Sequence, residues 1–387
     1  MPPARGSESL RTCDFAVIGA GIAGASVAYE LQSRGRTILL ERESRAGHHT
    51  TGRSAAFLVE SYGNPVVQLL TRAGRAFLEQ PPEDFSPLPL LHPCPVLWVA
   101  RPDQLTALMN RTERAVAAGA ELCEVNEVQA RSLCPVLRDG YVAAGVVERR
   151  ARHIDVAALL EAYLRGFRAR GGEIVTRAGV NRLCERDGGW EVVCGTTRYQ
   201  AAVVVNAAGA WAEEIGKLAG ARPIGLVPLR RTAITFDPPQ STDVSQWACV
   251  IDAEENFYLK PEGKQLLASP CDETPYPPSD VTPDDLEIAL AAERVMSATT
   301  LDLRHIRRSW AGLRSFVADR APVIGMDPNL RGFFWLAGQG GFGIMTSSSA
   351  ARAAAALILD GTLPGDLKRR GLTPELLAPS RPALFAA

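Results

Sequence analysis

Three glycines near the start of the chain have the spacing of a phosphate-binding turn. Gly19, Gly21 and Gly24 follow an apolar run at 15–18, and a helical pattern begins at residue 22. In such a turn the first glycine permits the sharp bend, the second lets backbone approach a pyrophosphate, and the third lets the helix pack on the strand. The helix N-terminus adds free N–H groups and the positive end of a dipole. The spacing therefore predicts a dinucleotide site.

An acidic residue completes this unit. The run 37–40 is predicted to be a second strand, and Glu41 follows it about 20 residues after the first glycine, where a carboxylate accepts hydrogen bonds from ribose hydroxyls. Glycine spacing alone is weak evidence, because glycines also mark ordinary turns. Strand, helix, second strand and terminal acid occur here in order, so we interpret residues 14–41 as a nucleotide-binding βαβ unit.

Composition narrows the class of protein. With 387 residues, 46% of them hydrophobic, the chain is long enough for a large core and two domains. The net charge is −1 and charges of both signs are interspersed, so we expect no nucleic-acid partner. The first dozen residues do not resemble a secretory signal, and no apolar stretch reaches the ~18 residues of a membrane span. We expect a cytoplasmic protein, with peripheral contact at the inner membrane left open.

The cysteines and histidines predict neither a disulfide framework nor a metal site. The cysteines contain no C-x-x-C pair, which favours reduced thiols in a cytosolic protein. They are Cys13, Cys94, Cys123, Cys134, Cys184, Cys194, Cys249 and Cys271. The five histidines lack metal-ligand spacing, and His48 and His49 form an adjacent pair on a loop. We therefore expect no metal site.

Further along the chain, local patterns indicate how these residues are positioned. A proline-rich segment at 85–95 indicates a crossing between domains. The chain is β-rich between 230 and 269, and the glycines at 338–343 open a long Ala/Leu/Ile helix whose N-terminus would face the bound dinucleotide. Other helices are predicted at 65–78, 102–118, 155–172 and 282–298, and strands at 96–100, 173–176, 190–194 and 203–205.

Nine sequence blocks together carry a family resemblance. They are VIGAGIAGAS at 17–26, LERE at 40–43, TGRSAA at 51–56, SYG at 61–63, VVNAAGAW at 204–211, RRTA at 230–233, FYLKP at 257–261, WAGLRSFVAD at 310–319 and GFFWLAGQGGFGI at 332–344. With these blocks the chain resembles the FAD-dependent amino-acid oxidoreductases of the D-amino-acid oxidase, glycine oxidase and sarcosine oxidase superfamily. Within it, the chain is most similar to the bacterial D-arginine dehydrogenases.

The resemblance implies a two-domain α/β fold. A Rossmann-type FAD-binding domain would combine residues 10–86, 150–225 and 305–370. A substrate-binding domain on a mixed, mainly antiparallel sheet would combine 87–149 and 226–304. Residues 1–9 and 371–387 would be flexible or peripheral termini.

The resemblance also implies FAD as the cofactor. FAD would be non-covalent, since the block WAGLRSF, near which some sarcosine oxidases carry a flavin-linked cysteine, has no cysteine after residue 271. The residues implied to contact it are Gly19, Gly21, Ile22, Ala23, Gly24, Glu41, Arg42, Thr51, Gly52, Arg53, Ser54, Ala55, Ala56, Val180, Ala208, Gly209, Trp211, Arg314, Gly340, Gly341, Phe342, Gly343 and Ile344.

Two arginines and two tyrosines match the residues that hold the substrate in the family. Arg231 and Arg314 would bind its carboxylate, because a guanidinium offers the planar pair of donors that a carboxylate fits. Tyr62 and Tyr258 would add hydroxyl donors. Taken alone, an arginine in a β-rich segment is more often a surface ion pair, and Arg230 could exchange roles with Arg231.

Differences from the family bear on substrate choice. Val96 stands where the arginine-preferring enzymes have a glutamate, and burying a substrate guanidinium there without a counter-ion would cost several kcal/mol. Phe57, Cys249, Ile251 and Met345 are also implied to line the pocket, together with Gly341. The pocket is therefore expected to be apolar and to favour neutral or hydrophobic D-amino acids over D-arginine. Glu60 could restore binding of basic substrates if its loop turns inward.

The implied reaction is oxidative deamination by hydride transfer from the α carbon to flavin N5, giving an imino acid that hydrolyses to a 2-oxo acid and ammonia. The sequence does not identify the group that takes the amine proton. The electron acceptor is not identified, and we expect a quinone or another redox carrier. The chain is expected to be a monomer or weak homo-oligomer. Two alternatives remain: an oxidase that uses O₂, on D-amino acids, glycine, sarcosine or a 2-hydroxy acid, and a non-catalytic FAD-binding redox sensor.

Overall fold

The computed structural model describes residues 10–385 as two large β-sheets with helices packed against them. Residues 1–9 and 386–387, which belong to the expected flexible or peripheral termini, lie outside the described residues.

The first sheet has the parallel centre that the glycine-rich turn predicts. Strand Leu10–Ile18 pairs in parallel with Thr37–Leu40 on one side and with Thr197–Asn206 on the other. The order along the sheet is Arg182–Arg186, Gly189–Cys194, Thr197–Asn206, Leu10–Ile18, Thr37–Leu40 and Glu173–Val175, with Phe333–Ala337 added to Thr197–Asn206 and Val323–Met326 added to Phe333–Ala337. The turn at Gly19 therefore opens at the carboxyl ends of the parallel strands, where α/β folds bind ligands.

Helices cover this sheet and the rest of the molecule. The helix Ile22–Leu31 packs against Val156–Ala169 and Ser347–Asp360. The other α-helices among residues 10–385 are Pro65–Glu79, Leu105–Ala117, Glu127–Leu133, Ala212–Ala219, Asp285–Ala298, Gly365–Arg369 and Pro374–Leu377, with 3₁₀ turns at Thr50–Arg53, Pro102–Gln104, Gly209–Trp211 and Pro382–Leu384. None of the helices within this range is both long and apolar enough to cross a bilayer.

The second sheet is mixed and mainly antiparallel. Its order is Thr274–Pro275, Val227–Phe236, Gln265–Ser269, Tyr258–Glu262, Cys249–Asp252, Val96–Ala100, Ala144–Glu148 and Cys123–Val125, with Arg308–Phe316 also paired to Val227–Phe236. The pair Cys249–Asp252 and Val96–Ala100 is parallel. A small third sheet contains Phe57–Leu58, Arg152–Ile154 and Leu91–Pro93. The predicted fold class, a Rossmann-type sheet combined with a mainly antiparallel second sheet, is confirmed.

The strand Arg308–Phe316 pairs with the second sheet, although the expected segment 305–370 assigns it to the cofactor domain. It pairs with Val227–Phe236 over nine residues, from Val227 opposite Phe316 to Thr235 opposite Arg308. The alternation of side chains along WAGLRSF indicates a strand, but alternation does not identify the neighbouring strand. This pairing decides the geometry of the site.

The carboxyl-terminal segment packs on the first sheet instead of forming a flexible or peripheral terminus. Leu372, Leu377 and Leu384 are buried. Arg381 is also buried and forms two hydrogen bonds with the Asp319 carboxylate, of 2.7 and 2.9 Å, and further bonds with backbone carbonyls. The segment 371–385 is rich in proline and has only two charged residues, and the sequence carries no signal of this long-range ion pair.

We expect Arg381→Met to lower the free energy of unfolding at neutral pH by about 2–3 kcal/mol, because it leaves a partly buried carboxylate without its partner. Burial alone raises the pKa of Asp319, but the Arg381 hydrogen bond and nearby charge lower it overall. The stabilisation is therefore present at neutral pH and is lost as the pH falls through this lowered pKa. Urea unfolding at neutral and acid pH would measure both effects, with Arg370→Met, a change of an exposed arginine just before this segment, as the control. An equal loss at both pH values would contradict the assignment to Asp319.

Candidate active site

A continuous groove leads from the glycine-rich turn to the second sheet. Its two ends share Gly21, Thr51 and Gly209 in their walls. The glycine end, which also contains Glu41, has about 1320 Å³ of empty space, and the arginine end, which contains Arg231, has about 1460 Å³, both including space open to solvent. The groove is long enough to hold an elongated ligand whose two ends meet different chemistry.

Two glycines of the turn lie too close to backbone for any side chain. Gly19 has a φ of +100°, and a Cβ there would lie 2.5 Å from the Ala207 carbonyl oxygen. A Cβ on Gly24 would lie 1.8 Å from the Gly19 carbonyl oxygen. The helix Ile22–Leu31 therefore packs directly on the turn, which brings its N-terminus to the groove.

Glu41 is already oriented by backbone donors. Its carboxylate accepts the Ala20 N–H at 2.8 Å and the Glu43 N–H at 2.9 Å, and the residue is 7% exposed. It lies in the wall of the glycine end, where a carboxylate with unused lone pairs can accept from ribose hydroxyls.

The loop around the 3₁₀ turn Thr50–Arg53 joins the two sheets. Thr51 Oγ1 accepts the Ile22 N–H at 3.0 Å, on the side of the nucleotide-binding helix. On the other side, Thr50 Oγ1 donates to the Leu313 carbonyl at 2.7 Å, and Arg53 Nη1 donates to the Ala311 carbonyl at 3.0 Å. One short loop thus fixes the strand Arg308–Phe316 relative to the glycine turn.

Most residues implied to contact the cofactor line this groove. They are Gly19, Gly21, Ile22, Ala23, Glu41, Arg42, Thr51, Arg53, Ser54, Ala55, Ala56, Val180, Ala208, Gly209, Trp211, Arg314, Gly340, Gly341, Gly343 and Ile344. Gly24, Gly52 and Phe342 do not line it. Gly24 and Gly52 are each packed on a backbone carbonyl, and Phe342 is 6% exposed beneath the groove. The long helix begins at Ser347, four residues after the glycine-rich turn ends, so a turn separates it from that glycine stretch.

The register of two strands brings Arg231 and Arg314 together. In the antiparallel pairing, Arg231 lies opposite Gly312, and Arg314 lies opposite Leu229. Residues two apart on a strand share a face, so both arginines point from the same face as a diagonal pair. Gly312 has no side chain to cover Arg231. Both guanidinium groups line the arginine end of the groove.

The guanidinium of Arg231 is held along one edge. Its Nε donates to the Asp272 carbonyl at 2.8 Å, and its Nη2 donates to Glu273 Oε1 at 3.0 Å. Burial alone lowers the pKa of Arg231, but Cys271, the two tyrosines and Glu273 raise it above its ordinary value. Arg231 therefore stays a cation at every pH the protein tolerates.

The guanidinium of Arg314, in contrast to that of Arg231, is not held by other side chains or carbonyls of the described residues. Within residues 10–385 its guanidinium has no hydrogen bond or ion pair. It lies against Gly341, where a Cβ would come within 2.8 Å of its Cζ and Nη1. The glycine therefore leaves room for a cation that is available to an anionic ligand.

Arg230, the alternative to Arg231, points to the opposite face of the sheet. It lies 3.7, 3.5 and 3.8 Å from the carboxylates of Asp272, Asp284 and Glu287. Adjacent strand residues point to opposite faces, and only Arg231 of the two reaches the groove.

Tyr62 and Tyr258 complete the wall around the arginines. The Tyr62 hydroxyl donates to Glu255 Oε2 at 3.1 Å, and its ring packs edge-on against Phe342 with centroids 5.2 Å apart. Burial and then Glu255 raise the pKa of Tyr62 to about 12, and burial also raises the pKa of Tyr258. Both hydroxyls are therefore protonated donors at neutral pH.

Two titratable residues of the cavity wall are missed by the sequence reasoning. Glu255 and Cys271 both line the arginine end. Each is a non-glycine residue in the left-handed region, with φ of +60° and +56°. The carboxylate of Glu255 also accepts from Arg111 Nη2 at 2.6 Å. Neither lies in a motif, and a turn residue's direction cannot be obtained from strand alternation.

The structure changes part of the expected substrate pocket. Phe57, Ile251, Gly341 and Met345 line the cavity. Val96 and Cys249 do not.

Val96 and Cys249 are 0% exposed, lie opposite each other on neighbouring strands, and pack behind Phe57. Glu60 does not turn inward, because it is buried in an ion pair with Arg75. The acid that faces the cavity is Glu255.

Glu43, His48 and His49 come together beside the glycine end, with one possible ligand atom from each within 4.8 Å of the others. His49 Nε2 lies 3.0 Å from Glu43 Oε1, and His48 Nε2 lies 3.6 Å from Asp280 Oδ2. These contacts join the loop 43–49 to Asp280.

Comparison with known proteins identifies the family. Residues 14–357 match the family described as FAD dependent oxidoreductase. The chain belongs to this family. Mouse dimethylglycine dehydrogenase is 25% identical over 395 residues, which cover 94% of this chain but 44% of that protein, so the chain spans less than half the length of this relative.

Two solved structures share the fold. L-proline dehydrogenase from P. horikoshii has a TM-score of 0.85 and 20% identity, covering 96% of this chain and 98% of that one. Glycine oxidase from Geobacillus kaustophilus has a TM-score of 0.79 and 20% identity, covering 90% and 95%.

The groove of this chain fits FAD, the cofactor of the family. Glu41 and the glycine turn would hold the ribose and the phosphates. The arginine end would hold the flavin beside the substrate site. Its walls near Gly338 to Gly343 are mainly backbone, which suits close contact with a flat ring system.

We expect Gly24→Ala to abolish tight FAD binding, because the new methyl group would meet the Gly19 carbonyl oxygen and displace the phosphate-binding turn. The flavin-to-protein absorbance ratio of the purified protein measures this. Gly365→Ala, where a Cβ meets only the end of Arg369 at 3.4 Å, is the matched helical control. Full flavin content in Gly24→Ala would show that the turn tolerates the shift.

Proposed function

We propose that this protein catalyses the FAD-dependent oxidation of α-amino acids, and that its substrates are neutral or hydrophobic D-amino acids. The substrate would lose two electrons and the α hydrogen to give an imino acid, which water hydrolyses to a 2-oxo acid and ammonia. The observation that carries the proposal is the unpaired guanidinium of Arg314 beside Arg231 at one end of the FAD groove.

A carboxylate fits this pair of cations better than other small anionic groups do. Arg231 is held along its Nε and Nη2 edge, which leaves its Nη1 and Nη2 edge for a planar two-oxygen ligand. Arg314 can approach the same ligand from the neighbouring strand. The Tyr258 hydroxyl, which has no hydrogen bond within residues 10–385, adds a third donor on the same wall.

The side chains of the cavity bind and orient the substrate. Bound FAD supplies the two-electron acceptor for the oxidation. Fixing the carboxylate at Arg231 and Arg314 limits the positions of the α carbon, which is the main contribution that positioning makes to such a reaction. The reacting amine must be neutral, and the carboxylate that lines the arginine end, Glu255, is already engaged by Arg111 and Tyr62.

Charge balance supports neutral substrates. Phe57, Ile251 and Met345 supply apolar walls. The single acid among the lining residues, Glu255, has its charge compensated by Arg111 at 2.6 Å. A substrate guanidinium would have to share this carboxylate with Arg111, and desolvating an incompletely paired cation is costly.

We expect Arg314→Met to raise KM by about 10- to 100-fold, since a charge-assisted hydrogen bond contributes about 1.5–3 kcal/mol. Initial rates with D-methionine under flavin-saturated conditions would measure the change. Arg308→Met, at an exposed position of the same strand, should leave KM within about twofold. An unchanged KM in Arg314→Met would contradict the carboxylate-binding role.

A substrate panel tests the rest of the proposal. Rates with D-leucine, D-methionine, D-phenylalanine and D-arginine, each beside its L-enantiomer, should show a D preference and the weakest activity on D-arginine. Faster turnover of the L series would contradict the proposed stereochemistry. Peroxide formed in stoichiometric yield would identify an oxidase, and absence of flavin reduction by every amino acid would favour a redox sensor.

Basic D-amino acids are a second candidate, favoured by one observation: Glu255 is a carboxylate on the cavity wall. If Glu255 binds a substrate cation, Glu255→Gln should lower kcat/KM for D-arginine at least tenfold more than for D-leucine. Equal effects on both substrates would support the neutral assignment.

A further inference from the structure

We propose that Glu273 is a positioning residue for Arg231: it holds one edge of the guanidinium so that the other edge faces the substrate carboxylate. The inference rests on the proposed function and adds to it a residue that belongs to none of the family-like sequence blocks.

The first argument is the geometry of the guanidinium. Nε–H and one N–H of Nη2 form one edge of the planar group, and Nη1 and Nη2 form the other. In Arg231 the first edge is taken by the Asp272 carbonyl at 2.8 Å and by Glu273 Oε1 at 3.0 Å. The second edge is left for the cavity. Because Asp272 contributes only a backbone carbonyl to Nε, Glu273 is the side chain that restrains rotation of the guanidinium plane about the Cδ–Nε bond.

The second argument is that Glu273 is itself fixed. Arg320 Nη2 donates to Glu273 Oε1 at 2.7 Å, and Arg320 Nη1 donates to Oε2 at 3.1 Å. The Arg320 guanidinium lies 3.7 Å from the centroid of the Phe316 ring. Phe316 in turn packs closely under the backbone at Gly340, in the wall of the cavity. The carboxylate therefore lies between two guanidinium groups that are both held.

The third argument is the backbone on either side of this contact. Cys271 and Arg320 have φ of +56° and +58°, two of the five non-glycine residues with positive φ among residues 10–385. Such conformations are unfavourable and persist where the surroundings impose them, often at functional sites. The Asp272 carboxylate contributes to this by accepting the N–H and the hydroxyl of Thr232, at 2.6 and 3.0 Å. The turn carrying Glu273 is thus locked to the strand that carries Arg231.

The electrostatics explain why an anion can be tolerated beside the substrate site. A lone carboxylate on Arg231 would compete with the substrate carboxylate for the same cation. Arg320 shares the charge of Glu273 through two hydrogen bonds, so less of it opposes the substrate. Positioning and competition make opposite predictions. Removing a positioning group weakens substrate binding, whereas removing a competitor strengthens it.

The test compares Glu273→Ala and Glu273→Gln with wild type as flavin-loaded protein. We expect Glu273→Ala to raise KM for D-methionine about tenfold while kcat changes less than about twofold. Glu273→Gln keeps an acceptor oxygen, so its KM should return close to the wild-type value.

The matched control is Glu173→Ala. Glu173 has the same side-chain exposure as Glu273, 34%, and also makes a two-bond pair with an arginine, Arg11, but it lies on an edge strand of the first sheet.

A measurement without turnover separates this inference from the proposed function. Benzoate, a carboxylate without an oxidisable α hydrogen, is titrated against the visible flavin absorption of each variant. A Kd about tenfold higher in Glu273→Ala, restored by Glu273→Gln, supports the inference even if no amino acid is oxidised, which would overturn the proposed function alone. An unchanged or lower Kd in Glu273→Ala overturns the inference. A wild-type protein that binds no benzoate overturns both.

Discussion

The site depends on holding two like charges close together. The antiparallel register of Val227–Phe236 with Arg308–Phe316 sets Arg231 and Arg314 diagonally on one face of the second sheet. Two guanidinium groups that line one cavity repel each other, and folding alone gains nothing from bringing them together. Arg231 is compensated by Glu273 and the Asp272 carbonyl, whereas Arg314 has no such partner in the part of the chain that the structure describes. The arrangement is balanced only when an anion occupies the space between them.

A second constraint places this charged pair beside the cofactor groove. The loop Thr50–Arg53 bonds to the nucleotide-binding helix through Thr51 and to the strand Arg308–Phe316 through Thr50 and Arg53. Trp310 strengthens the same junction by donating its Nε1–H to the Arg53 carbonyl at 3.0 Å. Small residues in this loop would let FAD approach closely, and the polar ones align the two sheets. A change in the loop would therefore disturb cofactor and substrate binding together.

The sequence predicts best what is determined locally. The turn at Gly19 and the helix Ile22–Leu31 follow from glycine spacing and hydrophobic periodicity within one short segment. The arginines are different, because no local pattern distinguishes Arg231 from an ordinary strand arginine, and only the family resemblance selects it. Which of Arg230 and Arg231 reaches the cavity depends on strand facing and register, which the structure resolves.

The sequence also does not show how deeply a strand residue is buried or which way a turn residue points. Val96 and Cys249 are apolar strand residues, yet both are buried in the cluster against which Phe57 packs and neither lines the cavity. Glu255 lies on a turn in a left-handed conformation, and nothing in its neighbours along the chain indicates that it faces the cavity.

The position of Glu255 also changes the reason for expecting neutral substrates. From the sequence, the expectation depends on the absence of an acid at Val96, a position that the structure buries behind the wall. The cavity does contain an acid, but Arg111, held over the Trp98 ring at 3.9 Å, neutralises it, and Tyr62 occupies its second oxygen. Under the proposed function, the net charge of the wall after pairing would select the substrate, and the number of acidic residues in the wall would not. In the arginine end, the unpaired guanidinium of Arg314 beside Arg231, together with the compensated carboxylate of Glu255, would favour a ligand that is anionic at one end and uncharged along its side chain.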